Sequence, residues 1–103
     1  MDIGELLRRA GENPAQAAAL YKGWIALNDG HPGLHAIMFN YAVTLADAGD
    51  LPGAAFALRA TIAREPGFAP AQINLGGVLE RLRQRDQAVG VRRALADAPA
   101  PCN

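Results

Sequence analysis

The fold of this chain is decided by residues 35–68, which read HAIMFNYAVTLADAGDLPGAAFALRATIAREPGF. Apolar side chains recur at helical spacing in both halves of this stretch, and Gly49-Asp50 separates the halves. Glycine favours a helix end, aspartate favours a helix start, and Pro52 suits a first helical turn. The stretch therefore predicts two helices joined by a tight turn. The apolar positions are Met38, Tyr41, Ala42 and Leu45 in the first half, and Ala54, Leu58 and Ile62 in the second.

The same pattern returns about 34 residues further along the chain, and we call this interval one repeat length. A shift of the sequence by this length places Asn40 on Asn74 and aligns large and small apolar residues in both helices. Two helices per unit at this period indicate a stack of helical hairpins, in which each unit buries one face against the next. The matched apolar pairs are Tyr41 with Leu75, Ala42 with Gly76, Leu45 with Leu79, Ala54 with Ala88, and Ala60 with Ala94.

This repeat resembles the tetratricopeptide repeat family. Tyr41-Ala42 stands where the family has its large-small pair, Ala54 is the small residue that opens the second helix, and Pro66 is the closing proline. The resemblance covers residues 14–97. It implies an all-α fold, a right-handed α-solenoid of antiparallel helix hairpins with about 2.5–3 repeats.

The repeat, together with the glycine and proline residues between its apolar segments, predicts one domain of six helices. The expected helices span residues 2–10, 14–28, 34–48, 52–65, 69–83 and 86–97, with Asp86 as the cap of the last. The expected units are residues 1–34, 35–68 and 69–97 of a domain at 1–97, followed by a flexible tail at 98–103. Short connections predict that sequential helices pack antiparallel. Small residues are expected where backbones approach (Ala42, Ala54, Gly76 and Ala88), and Tyr21 and Trp24 are expected in the core.

Composition and charge exclude several classes of protein. Ten Lys and Arg balance ten Asp and Glu, so no net charge draws the chain to nucleic acid or to a membrane surface. The single cysteine, Cys102, cannot form an internal disulfide. No apolar run approaches the roughly 20 residues of a membrane span. The amino terminus lacks the pattern of a secretory signal, and we therefore expect a cytoplasmic protein.

The sequence shows no catalytic or metal-binding constellation. It has neither a glycine-rich phosphate loop nor a supported Ser-His-acid or Cys-His arrangement. His31 and His35 are four residues apart, but Pro32 stands between them and no cysteine or acidic cluster completes a metal site. We therefore expect that the chain is not an enzyme and that it takes no cofactor and no metal ion.

The resemblance also implies where a partner would bind. In the family, the first helix of each hairpin lines a concave groove, which implies a protein or peptide partner. Asn40 and Asn74 occupy one position in successive repeats, which resembles the asparagine ladder of the O-linked N-acetylglucosamine transferase superhelix. Their amides either satisfy the backbone of an extended peptide or only brace the fold. The expected partner-binding residues are Phe39, Asn40, Val43, Asp47, Ile73, Asn74, Gly77 and Arg81.

Two alternatives to groove binding stay open. One is a scaffold that self-associates, since the last helix carries Val89, Val91 and Leu95 where a polar capping helix is usual. The other is the non-catalytic repeat region of a larger bacterial protein, because the segment from Trp24 to Asn40 resembles repeat regions of O-linked N-acetylglucosamine transferases. Nucleic acid is not an expected partner, because the arginines between positions 81 and 93 have no interleaved aromatic residues.

Overall fold

Helices form the whole of the described architecture. The structure, a computed structural model, describes the backbone of residues 1–97 and the side chains of residues 1–88. The elements are α1 (Ile3–Glu12), a short 3-10 turn (Pro14–Gln16), α2 (Ala17–Leu27), α3 (Leu34–Asp47), α4 (Leu51–Arg64) and α5 (Ala69–Asp97). The all-α prediction is confirmed over residues 1–97, and the first four predicted helices lie close to α1, α2, α3 and α4. The expected tail at 98–103 lies outside the described residues. None of the helices in the described part of the chain is both long and apolar enough to cross a membrane.

The reversal between α3 and α4 takes three residues. Gly49 has a φ of 90°, a region that residues with a Cβ rarely adopt. Its amide donates to the Ala46 carbonyl oxygen at 3.0 Å, and the Asp50 amide donates to the Leu45 oxygen at 2.9 Å. This pair of hydrogen bonds is the Schellman arrangement, which satisfies the last carbonyls of a helix. The Asp50 carboxylate then accepts from the Gly53 amide at 3.0 Å and caps α4. The turn therefore ends one helix and starts the next.

Two hydrophobic clusters hold the helices together. Tyr21 and Trp24 are buried, as predicted, and the Trp24 Nε1 donates to the Met1 carbonyl oxygen at 2.9 Å. Ala42 and Ala54 are both 0% exposed, which lets the backbones of α3 and α4 approach closely. The first cluster joins α1, α2 and α3 and contains Leu6, Ala10, Ala17, Tyr21, Trp24, Leu34, Ile37 and Met38. The second joins α3, α4 and α5 and contains Ala42, Leu51, Ala54, Ala55, Ala57, Leu58, Ala71 and Val78.

α5 is one helix of 29 residues where the sequence predicted two, at 69–83 and 86–97. Asp86 therefore lies inside a helix and does not cap one. The turn residues of the α3–α4 reversal explain the difference. Their counterparts one repeat length later are Arg83 for Gly49, Gln84 for Asp50, and Asp86 for Pro52. Arginine and glutamine are good helix formers and gain nothing from a left-handed backbone, so the helix continues through this position.

The continuous helix leaves the third hairpin unformed within the chain. The first half of α5 packs on α4 through Ala71 and Val78, which are buried. The expected close-packing positions Gly76 and Ala88 are instead exposed. At about 1.5 Å per residue α5 is about 43 Å long and α4 about 21 Å, so the second half of α5 extends beyond α4.

Substitution of Gly49 by alanine tests the reversal. We expect Gly49→Ala to lower the free energy of unfolding by about 1–2 kcal/mol, because a Cβ disfavours the left-handed backbone. Gly67→Ala is the matched control, since Gly67 lies in another turn, lacks a positive φ and leaves open space for a Cβ. Urea denaturation followed by circular dichroism measures both variants. Equal losses would contradict the role given to the Gly49 conformation.

Transplanting the turn residues should break α5. The triple variant Arg83→Gly/Gln84→Asp/Asp86→Pro recreates the α3–α4 turn, and we expect it to fold residues 86–97 back on residues 69–82. Spin labels on Asn74→Cys and Ala94→Cys, in a Cys102→Ser background, report the result by pulsed electron paramagnetic resonance. Chains diluted with unlabelled protein should give about 30 Å between the backbone positions in the parent helix. The transplanted turn should shorten this to about 10 Å, the spacing of packed helices. An unchanged distance would show that these residues do not decide the reversal.

Candidate functional site

A groove with a volume of about 250 Å³ lies between α3 and the first half of α5. Six of the eight residues that the sequence predicted for partner binding line it together. These are Val43 and Asp47 on α3, and Ile73, Asn74, Gly77 and Arg81 on α5. Ala46 and Val78 also line the groove and were missed, although each lies one helical turn from a predicted residue.

Helix periodicity and α4 together create this groove. Ile73, Gly77 and Arg81 are four residues apart, so they share one face of α5. Val43 and Asp47 have the same spacing on α3. Both helices pack extensively on α4, which therefore holds them side by side with a gap between their outer faces. The groove thus depends on the α3–α4 hairpin and on the docking of α5 against it.

The groove combines an exposed apolar side chain with bare helix backbone. Ile73 is 74% exposed, although isoleucine is among the residue types most often buried. A Cβ added to Gly77 would meet no atom within 4 Å, so the backbone there is open to a ligand. Glycine within a helix costs about 1 kcal/mol relative to alanine. Gly77 therefore lowers helix stability at a position where the fold has room for a side chain.

Two opposite charges line the groove. Asp47 and Arg81 are both exposed, and neither side chain forms an ion pair with the side chains that the structure describes. Arg83, two residues further along α5, is already paired: its Nε donates to the Glu80 Oε2 at 3.1 Å. This hydrogen bond lowers the pKa of Glu80 and raises the pKa of Arg83. Asp47 and Arg81 are thus left to interact with a ligand.

The structure separates the two asparagines that the sequence paired. Asn74 lines the groove, and its Nδ2 donates to the Pro70 carbonyl oxygen at 2.9 Å, which braces the first turn of α5. Its Oδ1 keeps its capacity to accept a hydrogen bond from a ligand. Asn40 is half-buried and is not among the residues that line this groove. Of the two, Asn74 is therefore the one placed to contact a ligand here.

Phe39 also lies outside the groove lining. The Phe39 ring packs edge-to-face on the Phe68 ring, with centroids 5.5 Å apart. The His35 ring also packs edge-to-face on the Phe68 ring, with centroids 5.0 Å apart. Phe39 is half-buried against the core of α3, α4 and α5. Its contacts anchor the loop between α4 and α5, which positions α5 beside α3.

A second depression adjoins the groove at Asp47. It has a volume of about 590 Å³ and lies among α1, α2 and α3. Leu7, which is 41% exposed, and Thr44 are part of its lining, and Asp47 lines both depressions. Tyr21 also contributes, and burial raises the pKa of its hydroxyl. The sequence did not predict this depression, because α1 lies outside the matched repeat.

The histidines serve the packing of loops and helix ends. The His31 Nδ1 accepts from the Gly33 amide at 2.9 Å, and the His31 ring lies edge-on to Trp24 with centroids 5.2 Å apart. His35 contacts Phe68 instead, so the two histidines have different surroundings. Among the described residues, no group of three or more His, Cys, Asp or Glu side chains is placed to hold a metal ion.

Comparison with known proteins adds no relative of this chain. No protein-family model, no curated protein and no solved structure matches it. The function is therefore inferred from the repeat pattern and from the geometry of the groove.

Proposed function

We propose that this chain is a tetratricopeptide-type repeat protein that binds an extended segment of a partner polypeptide between α3 and α5. The observation that carries the proposal is the groove itself, where exposed Ile73 stands beside the bare backbone at Gly77. Asp47 and Arg81 add charges of opposite sign to the same lining. The sequence repeat and the tight α3–α4 reversal support the assignment to this type of helical repeat.

The shape of the groove favours a polypeptide over a small molecule. Small-molecule sites are concave pockets of about 300–1,000 Å³ that bury most of the ligand. This groove is smaller and is bounded by helices on two sides. An extended peptide presents unpaired backbone amides along its length, and the Asn74 Oδ1 is an acceptor for one of them. The missing side chain at Gly77 lets that backbone approach the helix.

The lining also specifies the chemistry of the partner segment. An apolar side chain of the peptide would contact Ile73 and Val43 and remove their exposed surface from water. A basic residue on one side of it would meet Asp47, and an acidic residue on the other would meet Arg81. Exposed charges of this kind set the direction of the bound segment more than its affinity. Beyond Asp47 the peptide would continue toward Leu7 in the adjoining depression.

Filling the groove at Gly77 tests the site without weakening the fold. A library of random short peptides displayed on phage is selected on the wild type, and an enriched peptide is synthesised with a fluorescent label. We expect Gly77→Leu to raise the Kd of this peptide at least tenfold, measured by fluorescence anisotropy, which is about 1.4 kcal/mol of binding free energy. Leucine replaces glycine in a helix with a gain of about 1 kcal/mol, so unfolding would not explain the loss.

Gly76→Leu is the matched control for this experiment. Gly76 is the neighbouring exposed helical glycine, a Cβ there also meets no atom within 4 Å, and it does not line the groove. The Kd of the peptide should therefore equal that of the wild type. Equal binding to the Gly77→Leu variant would place the site elsewhere, and failure of any peptide to enrich would overturn the proposal.

Reversing both groove charges tests the direction of the bound segment. Two synthetic peptides carry the same apolar residue, one with the order basic-apolar-acidic and the other with the order reversed. We expect the wild type to prefer one order by roughly fivefold, since exposed pairs contribute about 1 kcal/mol or less. Asp47→Arg/Arg81→Asp should prefer the other order. Both preferences should shrink at high salt, because salt screens exposed charges. The same preference in both proteins would exclude these two residues from the contact.

A further inference from the structure

A second groove, which we call the outer groove, lies between α2 and α4 and has a volume of about 160 Å³. α2 and α4 both pack on α3, so α3 forms the floor between them. Met38 and Tyr41 line this floor, on the side of α3 opposite to Val43, which lines the groove between α3 and α5. The walls include Lys22 and Ile25 on α2, and Phe56 and Ala60 on α4.

Phe56 is the residue of the outer groove that the fold does not explain. It is 76% exposed, which leaves a large aromatic ring in water. It also belongs to neither of the two hydrophobic clusters that the described residues form. Ile25, Tyr41 and Ala60, which line the groove with it, are only half-buried. The exposed apolar surface is therefore continuous and not confined to one side chain, which is typical of an interaction site.

The outer groove has room for one large apolar side chain. An apolar cavity of about 150 Å³ holds one benzene molecule, and the volume here is about 160 Å³. A phenyl ring or a leucine side chain of a partner therefore fits between α2 and α4. It would contact Ile25, Tyr41 and Phe56 and remove part of their exposed surface from water.

The lining favours a helical partner segment over an extended one. The backbone groups of α2, α3 and α4 are already bonded within their own helices along the outer groove. Among the lining residues that the structure describes, Lys22 and Tyr41 carry the hydrogen-bonding side chains. An extended segment would leave most of its backbone amides and carbonyls without partners on this surface. A helix bonds its own backbone and presents only side chains to an apolar groove.

The walls of the outer groove are positively charged. α2 and α4 contain Lys22, Arg59 and Arg64 and no aspartate or glutamate. Arg64 is paired with Asp29, whereas neither Lys22 nor Arg59 forms an ion pair with the described side chains. Lys22 lines the groove, and Arg59 follows Phe56 by one turn of α4. A carboxylate on a partner would therefore meet cations that have no counter-ion within the described part of the chain.

We propose that the outer groove binds an acidic amphipathic helix of another protein. One large apolar residue of that helix lies between α2 and α4, a second contacts the ring of Phe56, and aspartate or glutamate residues beside them face Lys22 and Arg59. Helices that bind in grooves present apolar residues at i, i+4 and i+7 in this way. The two grooves are lined by opposite sides of α3, so this contact does not depend on the extended segment proposed above.

Selection from a library of helical peptides tests the outer groove. The library is displayed on phage and randomises one face of a helix built of alanine and glutamine. It is depleted on the Phe56→Glu protein and then selected on the wild type. Enriched peptides should carry large apolar residues at helical spacing with aspartate or glutamate beside them. Phe56→Glu should raise the Kd of a labelled peptide at least about tenfold by fluorescence anisotropy, because an aromatic anchor is lost.

Leu27→Glu is the matched control. Leu27 is 86% exposed on α2 and does not line the outer groove, so its substitution should leave the Kd unchanged. Circular dichroism checks that both variants keep their helices, as expected for exposed positions. Replacing the glutamates of the peptide by glutamine should raise its Kd roughly threefold on the wild type, since exposed ion pairs are weak. The same replacement should have no effect on Lys22→Gln/Arg59→Gln.

Three results would overturn the proposal outright: no enrichment on the wild type, enrichment of basic peptides, or equal binding to Phe56→Glu. Two other occupants are tested with the same proteins. Sedimentation of the wild type, but not of Phe56→Glu, with vesicles of phosphatidylcholine and phosphatidylserine would assign the surface to a membrane. A doubled mass by light scattering that Phe56→Glu abolishes would assign it to a second copy. Either result would replace the helix of another protein as the occupant.

Discussion

The reversal at Gly49-Asp50 is the constraint on which the rest of the architecture depends. One residue with a left-handed backbone closes α3, and the next caps α4 through its carboxylate. This reversal lays α4 against α3 and makes the platform on which α5 docks. The groove between α3 and α5 exists because α4 lies behind both. Where the same turn chemistry is missing, at Arg83-Gln84, the chain does not reverse and α5 runs on.

Side-chain size then determines which helix surfaces pack closely within the chain and which leave backbone open to solvent. At Ala42 and Ala54 small residues are buried, and they allow α3 and α4 to pack closely. At Gly76 and Gly77 small residues are exposed, so intrachain packing does not explain them. Two helical glycines together cost about 2 kcal/mol relative to alanine, which is a considerable fraction of the stability of a small domain. Close approach of the proposed peptide would give Gly77 a reason, since Gly77 lines the groove.

Helical periodicity made most of the fold predictable from sequence. The spacing of apolar residues and the caps located the first four helices, and six of the eight partner-binding residues implied by the family resemblance lie together in one groove. The prediction of two helices at 69–83 and 86–97 was wrong. The apolar pattern of the repeat continues through this region, but the turn residues between the two helices do not recur there. Register tells which face of a helix is apolar, but the backbone reverses only where residues such as Gly49 permit it. The depression beside Leu7 could not be predicted, because it depends on how α1 packs outside the repeat.

Each face of α5 has its own surroundings. Ala71, Leu75 and Val78 pack on α4, whereas Ile73, Gly77 and Arg81 face the groove. The docking of α5 on α4 therefore fixes which residues a bound peptide would meet. A rotation of α5 about its own axis would move Ile73 and Gly77 out of the groove together, because they share one helix face. The proposed binding site thus depends on the buried face of α5 as much as on the residues that line the groove.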